Sequence, residues 1–328
     1  MKIVLFSSFL LISLGLISIG SNQPIEGVQF LMGSYSRIEI YGGNRGDLDY
    51  AFKVLRRLDD LLSDYNPDSE ISLINRAAGT KVFEASDEVV EILDKAVEIA
   101  RLTNGAFDPT IGAITIGLYG FGRENSTIPD ALSLKEATTL VDYRLIEIDG
   151  KKVYLKKKGM MLDLGGIGKG YAIDKAVEYL KRREVKSAFV SISGDIKVFG
   201  RNYNIGIQDP NNNGVIASFD TGDSDFSIST SGVYNRYIAE NGEKAHHLLI
   251  PATGRSQKGI KSVTIVSKNG STFTDGVATA IFILGKEDGI KFLDHRKNIG
   301  AFLIFDDNSI YINKAFNHLV NNLQLSRQ

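Results

Sequence analysis

Residues 161–171 read Met-Leu-Asp-Leu-Gly-Gly-Ile-Gly-Lys-Gly-Tyr, with four glycines in the six positions between a strand-like apolar run and a helical pattern. Glycine at that density lets the backbone approach a ligand closely, and a helix N-terminus directed at the same spot favours an anion. The spacing also closes two fold classes to this chain. A dinucleotide fingerprint needs G-x-G-x-x-G, and after Gly166 and Gly168 the third glycine position is Tyr171. A P-loop needs Gly, four residues, then Gly-Lys-Ser/Thr; here Asp163 takes the first position and Gly170 follows Lys169. What remains is neither Rossmann nor P-loop but a phosphate-tolerant loop with the Asp163 carboxylate at its mouth. The plainer alternative is a tight strand-to-helix turn with no ligand.

The rest of the chain predicts an α+β body, a single compact unit with mixed strands and helices. Leu48, Ala51, Phe52, Leu55, Leu58 and Leu62 recur at helical spacing over residues 47–62. Val89, Val90, Leu93, Val97 and Ala100 do the same over residues 86–102, between a Ser86-Asp87-Glu88 start and an Asn104-Gly105 stop. Beyond residue 145 come a hairpin (146–148 and 153–155) and a helix (171–183). Strands follow over 188–193, 203–208, 215–219, 226–229 and 260–266, then a helix over 275–284 and a terminal hairpin (301–305 and 310–312). Such an order lacks regular βαβ alternation, which favours α+β over a doubly wound sheet. At 328 residues and 43% hydrophobic there is ample material for a core.

Charge and cysteine narrow the function classes. A net charge of −1 with scattered Lys and Arg gives no hint of nucleic acid. The basic cluster Lys151, Lys152, Lys156, Lys157 and Lys158 reads as the charged edge of a short hairpin. Absence of cysteine excludes disulfides, thiolate metal sites and a thiol nucleophile. After Met1 and Lys2, residues 3–19 are apolar apart from Ser and Gly, and Ser18-Ile19-Gly20 offers small residues for cleavage before Ser21. Residues 1–20 are therefore expected to be a signal peptide or an uncleaved anchor, and 21–328 an exported body.

Asp275 and Thr279 stand four apart at the start of an apolar helical pattern, on one helix face. A carboxylate, a hydroxyl and nearby backbone oxygens are hard donors that suit Mg²⁺ or Ca²⁺. The competing reading makes Asp275 a cap and leaves Thr279 in solvent. Asp108-Pro109-Thr110 opens a turn or helix, and the residues from Gly105 to Gly112 could wall a planar ring. His246 and His247 adjoin ahead of a Pro-x-x-Gly turn; on a strand they face opposite sides, so at most one reaches a site. Ser191-Ile192-Ser193-Gly194-Asp195 and Ser229-Thr230-Ser231-Gly232 place small hydroxyls and glycine at strand ends, where pockets form.

In this order the segments resemble the ApbE family of flavin transferases. The matching words are Met32-Gly33-Ser34, residues 62–72, 105–110 and 162–171, Ser193-Gly194-Asp195, residues 229–232, 247–254 and 275–280. The likeness covers about residues 28 to 315. It implies a T-fold-related α+β body that binds FAD and a divalent cation, usually Mg²⁺. The family moves FMN onto a Ser or Thr hydroxyl of an acceptor protein, such as a membrane redox-complex subunit, and releases AMP; some members hydrolyse FAD to FMN and AMP instead. Carried over by motif, the metal ligands would be Asp275, Thr279 and the backbone oxygens of Gly166 and Ala278. Flavin and adenine contacts would come from Met32, Tyr65, Ala106, Phe107, Asp108, Asp163, Lys169 and Leu249. His247 would be the general base, and Asp275 would serve catalysis through the metal. The chain departs from the family in four places: Ile250 stands where an acid usually precedes the proline, Gly276 and Gly168 stand where alanine is common, and Ser34 replaces threonine after Met32-Gly33.

Overall fold

Eight strands lie side by side in the order in which the chain makes them. They are β1 (Ile25–Leu31), β2 (Ser34–Tyr41), β3 (Ser187–Ile192), β4 (Asp195–Phe199), β5 (Phe226–Gly232), β6 (Ile260–Ser267), β7 (Gly300–Phe305) and β8 (Ile310–Ile312). Every neighbouring pair is antiparallel. The computed structural model describes residues 23–212, 214–233, 237–240 and 242–326, so the leader expected at residues 1–20 lies outside the described residues. No helix among the described residues is long and apolar enough to cross a membrane.

The long helices enter as insertions between strands. Residues 42–186 separate β2 from β3 and carry α1 (Arg45–Leu62), α2 (Asp87–Leu102) and α3 (Gly168–Arg182); α4 (Ser271–Asp294) joins β6 to β7. Alternation along the strands gives the sheet two apolar faces. Ile38, Ile40, Val190 and Ile192 pack against α1 and α3, and Val263, Ile265 and Leu303 pack against Val277 and Ile281 of α4. The opposite face, with Val198, Ile228, Val266, Phe302 and Ile304, is covered by a small sheet of Asn204–Gln208, Val215–Asp220 and Asn321–Leu325. A satellite cluster gathers Ile114, Tyr119, Phe121, Leu134, Ile238 and Leu249 beside the main body.

The amphipathic helices form where their spacing predicts, because their caps are local. Asn44 accepts from the Asp47 N–H at 3.2 Å while Asp47 accepts from the Asn44 N–H at 3.0 Å, a reciprocal capping box for α1. Ser86 caps α2 through the Val89 N–H.

Two expectations need correction. The helix expected to begin at Asp275 begins at Ser271 and runs to Asp294, with a break at Gly285 (φ 77°), so Asp275 and Thr279 sit inside it and neither caps α4. Lys152–Leu155 is not a sheet edge. It lies between Ile146–Asp149 and the two-residue strand Phe83–Glu84, which is too short to announce itself by alternation.

Candidate functional site

The glycine loop exists because two helices touch there. A side chain on Gly170, near the start of α3, would put its Cβ 2.1 Å from the Ser271 carbonyl oxygen and 2.8 Å from Asp275 Cβ, so only glycine fits. At this crossing the Gly170 N–H donates to Asp275 Oδ2 at 2.9 Å. In the other direction, Asp174 of α3 accepts from the Ser271 N–H at 2.9 Å, the Thr272 N–H at 2.8 Å and the Thr272 hydroxyl at 2.6 Å. Asp174 thus caps α4 from another helix, and Gly270, the residue before α4, makes no side-chain cap. Burial opposes the charge on Asp174. The Lys197 ammonium 2.6 Å away and the Thr272 hydrogen bonds outweigh it and hold that carboxyl below the usual carboxylate range.

Asp275 itself is only 3% exposed. Burial, and next the Asp195 carboxylate, push it up to about 7, against the pull of Lys169. Lys169 forms an ion pair with the buried Asp195 and stands 4.0 Å from Asp275 Oδ1. One turn along α4, the Thr279 hydroxyl lies 3.4 Å from the Gly166 carbonyl oxygen and 3.5 Å from the Ser231 hydroxyl. Ser229 meets Thr274 at 2.9 Å, so β5 lines this helix face with hydroxyls. A buried carboxylate short of positive charge, a hydroxyl and a main-chain carbonyl therefore converge, and that is a hard-oxygen donor set. Among the described residues no three His, Cys, Asp or Glu side chains gather as a metal-binding cluster, so a cation here would rest on one carboxylate and neutral oxygens.

The second half of the site is more open. Tyr65, 48% exposed, donates its hydroxyl to the Phe121 carbonyl at 2.7 Å, and Arg123 covers its ring at 4.9 Å. Arg123 also reaches Asp64 Oδ2 at 2.9 Å. Burial, and next the Asp163 carboxylate, push the Asp64 carboxyl up. Asp163 accepts from the Thr115 hydroxyl at 2.6 Å and from the Gly165 N–H at 2.8 Å. Phe121 stacks on Tyr119 at 4.8 Å and meets the His247 ring edge-on at 6.5 Å.

Several predicted site residues occupy unexpected settings. Met32 and Gly33 both have positive φ, 52° and 69°, in the tight turn between β1 and β2. A methionine there is strained, and Asp59 Oδ2 holds its N–H at 2.8 Å. The Met32 methyl reaches the start of α3, 3.8 Å from where a Gly168 Cβ would lie. Alanine would therefore fit at 168. At 276 its Cβ would fall 2.5 Å from Ile99 Cδ1 of α2, so the end of that side chain would have to shift.

Phe107 is buried against Gly166, with half-buried Ala106 beside it. Both oxygens of Asp108 serve the local backbone, accepting from Thr110 N–H, the Thr110 hydroxyl and Tyr143 N–H. Leu249 is core of the satellite cluster, and Ala278 is on the buried face of α4. The two histidines do diverge. His246 Nε2 lies 2.7 Å from the Gln257 carbonyl oxygen with its ring against Phe282, while His247 faces Phe121. Burial, chiefly, pulls the His246 imidazole down.

Sequence reasoning missed Asp174, Lys197, Asp59, Thr115 and Phe121. No local signal marks them, since their partners stand between 23 and 98 positions away or, for Phe121, on facing loops. Asp195 stood inside a recognised word but without a role.

Comparison with known proteins agrees with this geometry. The ApbE family profile matches residues 32–303. The FAD:protein FMN transferase of Treponema pallidum (strain Nichols) is 30% identical over 308 residues, spanning 86% of this chain and 84% of the relative. That of Klebsiella pneumoniae (strain 342) is 29% identical, spanning 86% and 89%. Among solved structures, the ApbE protein of Thermotoga maritima superposes with a TM-score of 0.84 at 28% identity, covering 90% of this chain and 99% of its own. The apo flavinyl transferase ApbE of Pseudomonas stutzeri gives 0.82 at 26%, covering 92% and 98%. With the family profile spanning residues 32–303 and a relative 30% identical over most of both chains, the chain belongs to the ApbE family.

Proposed function

We propose that this protein transfers FMN from FAD to a Ser or Thr hydroxyl of an acceptor protein and releases AMP, with Mg²⁺ bound at Asp275. The observation that carries the reading is the convergence of Asp275, Thr279 and the Gly166 carbonyl beneath a loop in which Gly170 admits no side chain. Asp275, Thr279 and the carbonyls of Gly166 and Ala278 would hold the cation. Bound there, it would neutralise charge on the FAD pyrophosphate and on the departing AMP. Lys169, at the first turn of α3, adds positive charge near the same phosphates.

The reaction forms one phosphorus–oxygen bond, from the acceptor hydroxyl to the FMN phosphorus, and breaks the pyrophosphate bond to AMP. His247 is our candidate to take the hydroxyl proton. Ile250 supplies no acid to orient that imidazole; its N–H instead closes a turn on the Arg255 carbonyl at 2.8 Å. Met32, Tyr65, Ala106, Phe107, Asp108, Asp163 and Leu249 would shape the flavin and adenine side, some of them through the loops they hold. The apolar leader at residues 1–20 supports an exported enzyme, periplasmic or anchored on the outer face of the cytoplasmic membrane, with redox-complex subunits as acceptors.

Incubation with FAD, Mg²⁺ and an acceptor bearing a Ser/Thr flavinylation site should yield a fluorescent covalent adduct. Accumulation of FMN and AMP without adduct would replace this reading with an FAD pyrophosphatase. FAD binding with no turnover at saturating Mg²⁺ would make the protein a flavin carrier, the reading that the Ile250 departure favours.

A further inference from the structure

We infer that α3 and α4 clamp each other through exchanged carboxylates, and that Asp174 is a positioning residue that sets where Asp275 stands. Each helix gives its neighbour a carboxylate and takes one at its own N-terminal backbone. α3 offers the Gly170 N–H to Asp275, and α4 offers the Ser271 and Thr272 N–H groups to Asp174. Because a Gly170 side chain would meet the Ser271 carbonyl, the two backbones are already in contact and the pair has no room to slide.

β4 braces the clamp from below. Asp195 and Lys197 lie two apart on that strand and so on one face; Asp195 pairs with Lys169 of α3, and Lys197 with Asp174. Three carboxylates thus share two ammonium groups. The deficit falls on Asp275, whose nearest ammonium is 4.0 Å away. Asp174 uses its charge to fix a helix end. Asp275 keeps an oxygen for other work.

The metal part of this inference rests on the function proposed above; the mechanical part does not. The test uses the full-length protein, with amide hydrogen exchange at Gly170, Ser271 and Thr272 referred to Ile265 and Phe302 in the sheet core, and Mn²⁺ binding without FAD. In Asp174→Asn, exchange at Gly170 should rise about tenfold relative to the core amides, and the Mn²⁺ dissociation constant should rise by a similar factor, about 1.4 kcal/mol. Thr272→Val removes one hydroxyl and leaves the backbone bonds, so about threefold is expected at the same amides. Gly170 exchange that is unchanged, or that rises only as much as Ile265, overturns the clamp; if Asp174→Asn does not fold, Thr272→Val decides by the same criterion. An Asp275→Ala protein that exchanges Gly170 faster yet binds Mn²⁺ as the wild type does would overturn the metal reading and leave the clamp standing.

Discussion

The two halves of the site are built on different physical terms. On the α3–α4 side the groups are buried or half-buried, bonded to partners far away in sequence, and the carboxylates are braced by ammonium groups. On the aromatic side Tyr65 is half exposed, and the enclosure is one hydroxyl bond, a ring stack and an edge-on contact with His247. Charge-assisted hydrogen bonds inside a protein are stiff and strong, whereas partly hydrated aromatic contacts contribute about 1 kcal/mol each and rearrange readily. A reaction that must admit a dinucleotide and then an acceptor chain needs both behaviours. On the function proposed above, the first half would hold fixed geometry for the phosphates, and the second, where Tyr65 is exposed, would admit the acceptor.

That contrast can be broken at several points. Asp275→Ala should lower turnover by on the order of 10²- to 10³-fold in a flavinylation assay while the fold survives, since the missing group acts on developing charge; a milder loss would mean the stiff half is not the chemical one. Gly170→Ala should destabilise the protein by about 1–3 kcal/mol in urea unfolding, because its Cβ meets backbone that cannot withdraw. Tyr65→Phe should cost about 1 kcal/mol, read as weaker FAD affinity with turnover nearly kept. The smallest effect concerns pH. Burial depresses the His246 imidazole, so the unfolded chain takes up its proton first as pH falls below the ordinary imidazole value; stability is lost through that window and regained as pH rises. Asp275, pushed up to about 7, acts in the opposite sense over the same range, so the His246 effect is read in unfolding as the stability lost between pH 7.5 and 5.5 by the wild type beyond that lost by His246→Asn.

How much of this was legible in the sequence depends on how far each group's partner lies. α1 and α2 carry their own caps at Asn44 and Ser86, so their boundaries could be read to within two residues. The Asp275–Thr279 spacing correctly put both on one face, and the lack of regular βαβ alternation correctly pointed to an α+β fold. The start of α4 could not be read, because its cap is Asp174, nearly a hundred positions earlier. Asp108 and Leu249 look like pocket residues by motif, yet one ties the Thr110 turn and the other fills a core. Motif words mark a neighbourhood; they do not say which atoms in it face a ligand.

Strand order carries a consequence for how the protein is made. Since the sheet grows by adding each strand beside the one before, Tyr41 of β2 waits through residues 42–186 for its partner Ser187. The Gly170 amide and the Lys169 ammonium then exist for another hundred residues of synthesis before Asp275 emerges. An emerging chain therefore holds Tyr65, Phe107 and Phe121 long before it holds Asp275 and Thr279. It becomes competent only when its last large helix docks, and a fragment ending before residue 271 should be unable to process FAD however well its early helices fold.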